Sequence, residues 1–316
     1  MSASRTRLAP SPTGALHLGN ARTFLVNWAV ARQQGWEIVL RIEDLDGPRV
    51  KAGSIEQTIE VMEWLGLDWD EGPYYQLHDM APYEAAMVKL AGQGDIYPCA
   101  CTRREIEAAS LSAPHASDHE LRYPGTCRPA QAASVPNALF DDRAVAWRLR
   151  VPAGPTTFVD CFAGSQTHDV QKTVGDFLVR TKTKMSSYQL AVVVDDARQG
   201  INQVVRGDDL LTSTPRQLLL YERLQLGPVP TYTHLPMVVG EDGRRLAKRH
   251  GDSRLVNYCK RGVRTQRVVG LLAEWCGLGP RQEMTPADFC DDFQIAKLSP
   301  APIVFTSADD QWLQGR

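Results

Sequence analysis

The sequence predicts an α/β protein built on a parallel sheet, and two observations carry this. Strand, helix, strand and helix follow one another within the first 66 residues. Such alternation makes βαβ units, whose strands run parallel and bind ligands beyond their C-terminal ends. In addition, the turn Ala9-Pro10-Ser11-Pro12-Thr13-Gly14 runs directly into an amphipathic helix. A glycine turn opening onto a helix N-terminus presents free N–H groups and a dipole end to an anion.

Taken in order, Pro10 and Pro12 lock φ and keep the chain extended up to Thr13, after which Gly14 lets the backbone pass close to a bulky group. From Gly19 a helix follows, with Ala21, Phe24, Leu25, Trp28 and Ala29 on one face. Trp36 to Ile42 reads as a buried strand, with Glu43-Asp44-Leu45-Asp46-Gly47-Pro48-Arg49 as the loop at its end. Ser54 and Gln57 suggest a capping box for a helix carrying Ile55, Ile59 and Met62, which Gly66 ends. Between Asp95 and about Pro136 the pattern breaks up, and 110–122 reads as a loop. Residues 144–151 and 156–162 read as strands, as do Tyr188–Val194 and 201–206. Thr214-Pro215-Arg216-Gln217 starts a helix, Leu235–Val239 is a further strand, and Glu241-Asp242-Gly243 is a turn. The remainder is mainly helical, with Val268, Leu271, Leu272 and Trp275 on one face.

The 316 residues suffice for two domains, or for one domain with a large insertion, and their 43% hydrophobic and 23% charged shares are those of a globular chain. No stretch approaches the roughly 20 apolar residues of a membrane span, and no signal core precedes Arg7. Seven cysteines without a scaffold spacing suit a reducing cytoplasm. A net charge of −2 hides an uneven distribution. Residues 37–71 hold ten acids against three bases, and residues 244–267 hold nine Lys or Arg against the single acid Asp252. Such a basic stripe is either a phosphate contact or a solvated face.

Three constellations carry chemistry. His17 stands at the mouth of the first turn, and Arg244-Arg245-Leu246-Ala247-Lys248-Arg249-His250-Gly251 is a basic loop. Arg7, Glu43, Tyr188 and Arg206 lie at predicted strand ends, an acid with two guanidinium forks that suits either a charged ligand or a structural ion pair. Cys99-Ala100-Cys101 and Cys127 offer three thiols to one metal ion, whose fourth ligand chemistry alone assigns to His115 or His119. Cys161, Cys259, Cys276 and Cys290 have no partner spacing and read as core.

The string from Arg7 to Arg22 resembles the nucleotide-binding signature of class I aminoacyl-tRNA synthetases in its glutamyl form. The loop around Lys248 resembles their second signature, with Arg245 where Lys is usual and Ala247 where Ser is usual. Arg41-Ile42-Glu43-Asp44-Leu45-Asp46 is similar to the glutamate-site segment, and Cys-x-Cys followed by Tyr123-x3-Cys127 resembles the zinc module of glutamyl-Q tRNA(Asp) synthetases. Glutamyl-tRNA synthetases continue with a helical anticodon-binding domain where this chain stops at Arg316, so the likeness is to the glutamyl-Q family.

That resemblance implies a class I synthetase Rossmann-like parallel sheet with an inserted, zinc-bearing acceptor-type subdomain and a C-terminal helical stem-contact region. The expected divisions are 1–82 and 188–243 for the catalytic halves, 83–187 for the insertion with its zinc module at about 97–128, and 244–316 for the lysine loop and stem-contact helices. It implies ATP and Mg2+ held at Thr13, Gly14, His17, Gly19, Asn20, Arg245 and Lys248, with His17 and Lys248 catalytic. Glutamate would lie against Arg7, Leu8, Ala9, Pro10, Ser11, Glu43, Tyr188 and Arg206. One structural Zn2+ would be held by Cys99, Cys101, Tyr123 and Cys127, the resemblance favouring the tyrosine over the histidines. The implied reaction is ATP-dependent activation of glutamate and its transfer to queuosine in the anticodon stem-loop of tRNA(Asp), by a cytoplasmic monomer. A truncated glutamyl-tRNA synthetase, an inactive RNA-binding paralogue and another nucleotidyltransferase are the alternatives.

Overall fold

Parallel neighbours need a crossover between them, usually a helix, and the computed structural model, which describes residues 3–111, 122–135, 145–244, 246 and 253–315, has such helices. In chain order the elements are β1 (Arg5–Leu8), α1 (Leu18–Gln34), β2 (Glu37–Ile42), α2 (Ser54–Trp64), β3 (Glu71–Tyr75), α3 (Ala81–Gln93), β4 (Ile96–Cys99) and α4 (Arg103–Leu111). There follow β5 (Ala146–Leu149), β6 (Thr156–Asp160), β7 (Gly164–His168), α5 (Val170–Thr173), β8 (Leu178–Arg180), α6 (Tyr188–Arg198), β9 (Gln203–Gly207), α7 (Thr214–Leu224) and β10 (Thr231–Leu235). The chain ends with β11 (Val238–Val239), α8 (Leu255–Lys260), α9 (Thr265–Trp275), α10 (Pro286–Asp292), β12 (Ile303–Val304) and α11 (Ser307–Leu313).

β1, β2 and β3 pair in parallel in that order, and β9 pairs in parallel with β10. β9 starts beside β1, where Asn202 N–H donates to Arg5 O at 3.1 Å. Ile38, Val39 and Leu40 are fully buried, as strands covered on both faces must be. The stretch from β4 to β8 is different: β4, β5 and β8 form an antiparallel sheet, and β6 and β7 an antiparallel hairpin.

One core joins α1 and β2 to α9, with Leu25, Ile38, Val268, Leu271 and Leu272 buried together. A second draws on α3, β5, α6 and α7, with Tyr83, Leu90, Trp147, Leu190 and Leu220. This second core explains the main departure from sequence expectation. Tyr188–Val194 is the first part of a helix, not a strand, capped by Ser187 Oγ accepting from Leu190 N–H. Every residue from Leu190 to Asp196 is buried. A helix covered all round has no polar face, so its valine run reads as a strand.

Smaller departures are local. The Ser54 capping box does not form: Gly53 at φ +75° caps α2, and Ser54 Oγ instead donates to Lys51 O at 2.7 Å. The strand expected over 235–239 is two, β10 and β11, parted at Pro236-Met237. Cys161 is exposed rather than core, whereas Cys276 is buried. Gly66 ends its helix as expected, at φ +75°. The loop expected at 110–122 lies largely outside the described residues. Among the described residues no helix is long and apolar enough to cross a membrane.

Candidate active site

The C-terminal ends of β1, β2 and β9 open onto a cavity of about 770 Å³. Its mouth is the first turn. His17 is the N-cap of α1: its Nδ1 accepts from Gly19 N–H at 3.1 Å, while its own N–H donates to Asn20 Oδ1 at 3.1 Å. An Nδ1 that accepts leaves Nε2 as the protonated nitrogen. A Cβ at Gly19 would sit 3.1 Å from the His17 ring, a tight contact that would press on the cap. A Cβ at Gly14 would meet no protein atom within 4 Å, so the space beside this turn is open.

At the floor, Glu43 is fixed by its N–H donating to Pro10 O at 3.0 Å. Arg41 Nη2 meets Glu43 at 3.2 Å and Asp196 at 2.8 Å, and its Nε lies 3.8 Å from Asp195. Arg7 Nε lies 3.4 Å from the same Asp196 oxygen. Arg198 joins Asp195 at 3.0 Å to Asp79 at 2.6 Å. Three arginines thus face four carboxylates across this connected cluster, one net negative charge, and Glu43 is the carboxylate of the four that lines the cavity. Burial pushes the Glu43 carboxyl above its ordinary pKa against the pull of Arg41 and Arg7. Burial opposes the charge of Arg41 too, but Asp196, Glu43 and Asp195 raise its pKa.

Across the cavity, Arg206 is 4% exposed. Its Nε donates to His234 Nε2 at 2.9 Å, and its Nη2 donates to Thr214 Oγ1 at 2.9 Å and Leu210 O at 3.4 Å. Nη1 is buried without a hydrogen-bond partner. A buried guanidinium nitrogen left unpaired beside a cavity is one that a carboxylate would satisfy.

A second cluster lies at the end of β4. The Sγ atoms of Cys99, Cys101 and Cys127 all fall within 4.8 Å of one another. Tyr123 OH accepts from the Cys99 thiol at 3.4 Å and from Cys127 N–H at 2.8 Å, with the Arg148 guanidinium 3.8 Å above its ring. Thiolates around tetrahedral zinc stand about 3.8 Å apart for bonds of about 2.3 Å, and Cys101 and Cys127 are already at 3.5 Å. The donor set therefore fits a zinc ion with Tyr123 in reach. Although burial raises it, hydrogen bonds led by that from Tyr123 bring the Cys127 thiol down to about 7.

Residues 3–276 match the family of class I tRNA synthetases (E and Q), catalytic domain. The chain belongs to this family. It is 46% identical over 293 residues to a glutamyl-Q tRNA(Asp) synthetase of Rhodopirellula baltica, covering 89% of this chain and 87% of that one. A glutamate–tRNA ligase of Geobacter sulfurreducens is 38% identical over 316 residues, 99% of this chain but 66% of the ligase. The solved glutamate–tRNA synthetase of Elizabethkingia anophelis superposes with a TM-score of 0.81 at 25% identity, covering 99% of this chain and 70% of that one.

In this synthetase the cavity gathers Arg7, Ala9, Pro10, Ser11, Thr13, Gly14, His17, Gly19, Asn20, Glu43, Tyr188 and Arg206 from the sequence reading. Leu8 is the exception, since its side chain is fully buried in the core rather than at the cavity. Tyr188 reaches the wall from the first turn of α6, not from a strand end. Arg245, Lys248, Ala247, His115 and His119 lie outside the described residues. Of the chain that carries Lys248, the described flanks are Leu246, which is buried, and Ser253, whose carbonyl accepts from Leu18 N–H at 3.2 Å beside His17. The basic stripe is partly paired, Arg264 and Arg267 both meeting Glu283.

Sequence reasoning missed Asp195, Asp196, Asp160 and His234. The acidic pair was visible as two charges closing an apolar run, a position where buried acids need partners. Asp160 and His234 carried no such signal. The wall formed by Thr181, Thr183, Met185 and Ser186 was missed as well.

Proposed function

We propose that this synthetase activates L-glutamate with ATP to glutamyl adenylate and pyrophosphate, and then transfers glutamate to the queuosine base of tRNA(Asp). The observation that carries glutamate is the pairing of opposites in one cavity: a net negative cluster that includes Glu43 for the ammonium, and buried Arg206, with its Nη1 unpaired, for a carboxylate. Arg7, Ala9, Pro10, Ser11 and Tyr188 complete that wall, Leu8 contributing its backbone alone. ATP, accompanied by Mg2+, is assigned to Thr13, Gly14, Gly19 and Asn20 together with Arg245. His17, through its Nε2–H, and Lys248 act on the charge that builds on the phosphoryl group as pyrophosphate leaves. Zinc at Cys99, Cys101, Cys127 and Tyr123 would fasten the insertion. The division at 82, 187 and 243 is part of the same proposal, as is a cytoplasmic monomer.

The acceptor rests on kinship: the relatives bearing the glutamyl-Q name match over 87% to 96% of their own lengths at 41% to 46% identity. The test is charging with labelled glutamate. Transfer to a 3′-truncated, queuosine-bearing tRNA(Asp), with none to its unmodified form, is the expected result. Charging that requires an intact 3′ end on tRNA(Glu) would establish the glutamate–tRNA ligase reading instead.

A further inference from the structure

Arg206 is oriented by a neutral group rather than by an acid. Since Arg206 Nε donates to His234 Nε2, that nitrogen carries no proton, and His234 Nδ1 donates to Asp160 Oδ2 at 2.6 Å. Asp160 accepts in turn from the backbone N–H groups of Ala163 at 2.8 Å, Phe162 at 3.0 Å and His234 at 3.2 Å. Asp160 and His234 are each 1% exposed. The sheet brings these residues together: His234 on β10 stands opposite Arg206 on β9, and Cys161 N–H, one residue past Asp160, donates to Tyr232 O at 2.9 Å. Burial, opposed by the Asp160 hydrogen bond, lowers the pKa of His234 and keeps its ring neutral.

The choice of imidazole has an electrostatic consequence. A carboxylate in its place would orient the guanidinium equally well, but would pair with it and compete with any anionic ligand. Arg7 and Arg41 are bound in that way, both to Asp196. Among the described residues no carboxylate is paired with Arg206.

We propose that Asp160 and His234 are positioning residues for substrate recognition: Asp160 locks His234 as its Nδ1–H tautomer, and the free Nε2 lone pair fixes the Arg206 guanidinium so that its Nη1 edge meets a carboxylate with undiminished charge. This rests on the reading that Arg206 binds the carboxylate of glutamate.

Two variants of similar polarity separate the roles. A glutamine side chain in place of His234 carries its carbonyl oxygen near the place of Nε2, and an asparagine side chain carries it near that of Nδ1. In glutamate-dependent ATP–pyrophosphate exchange, His234→Gln keeps the KM for glutamate within about threefold of the parent, whereas His234→Asn raises it about tenfold or more, the value of a hydrogen bond to a charged group. The KM for ATP stays unchanged in both, a split that general loosening of the fold would not give. Long-range 1H–15N spectra of histidine-labelled wild-type protein, with the resonance assigned from its loss in His234→Gln, should show Nδ1 protonated and Nε2 bare at neutral pH. A protonated Nε2 overturns the proposal even if His234→Asn does not fold, and so does a His234→Asn enzyme with the parent's glutamate KM. If Arg206→Ala itself leaves that KM unchanged, the glutamate reading fails. If only Arg206→Ala raises it, the site reading stands and the positioning role is refuted.

Discussion

Glu43→Gln should weaken glutamate binding while strengthening the fold. The cluster of Arg7, Arg41 and Arg198 with Glu43, Asp79, Asp195 and Asp196 carries one surplus negative charge, and the substitution brings it to zero. An ammonium arriving there then finds an amide oxygen in place of a carboxylate. Losing one partner of a buried charged pair costs about 2–5 kcal/mol, and the Glu43 side chain keeps 12% exposure, which favours the lower end. About 2 kcal/mol corresponds to roughly a thirtyfold rise in the KM for glutamate. The sign of the stability effect is opposite. A carboxyl whose folded-state pKa is raised loses stabilisation as pH climbs through that pKa, so ionised Glu43 costs stability at neutral pH and glutamine removes the cost. The parent itself should lose glutamate affinity as pH falls, beginning above the ordinary glutamate value of about 4.3. The assays are pyrophosphate exchange across pH and thermal unfolding at pH 7. A variant whose KM stays within about twofold of the parent, or whose melting temperature drops, would refute the reasoning.

Arg206→Ala should lose about 2–5 kcal/mol of glutamate binding, since a desolvated carboxylate is left unpaired; calorimetric titration with glutamate alone measures it, and parental affinity would count against the assignment. His17→Ala should lower the rate of pyrophosphate exchange about 10²- to 10³-fold through the lost phosphate donor, and cost about 1 kcal/mol in the cap of α1, read separately by kinetics and by denaturant unfolding. Metal analysis should find about one zinc per chain, lost in Cys127→Ala, and stripping it should expose residues 95–130 to protease, because a structural site holds local folding energy. Zinc retained by Tyr123→Phe but not by His119→Ala would move the fourth ligand to the histidine.

The parts of this site legible in the sequence are those that act through backbone shape or through runs of one chemistry. The first turn is readable because prolines, a glycine and a helical stripe each restrict the chain locally, and the structure accordingly places His17 as the cap of α1. Cys99, Cys101 and Cys127 are readable because thiols are scarce and their spacing is short. What escapes depends on pairings made across the fold. Tyr188–Val194 reads as a strand because the polar face that betrays a helix is missing where α3 and α7 cover it. That misreading leaves the site residues nearly intact, since Tyr188 stands where the chain enters the element, and the entry is fixed by Ser187 whichever way the next residues wind. It does hide the function of Asp195 and Asp196. In a strand they would point to opposite faces, whereas in the last turns of a helix both reach Arg41, at 3.8 and 2.8 Å. The charge balance proposed to select an ammonium is therefore a property of how α6 meets β2, with each partner ordinary in its own stretch of sequence. Asp160 and His234 show the same rule at longer range, 74 residues apart in the chain and 2.6 Å apart in the fold. An arginine beside a strand end announces that an anion can bind, but what holds that arginine still has to come from a neighbouring strand, where no local pattern records it.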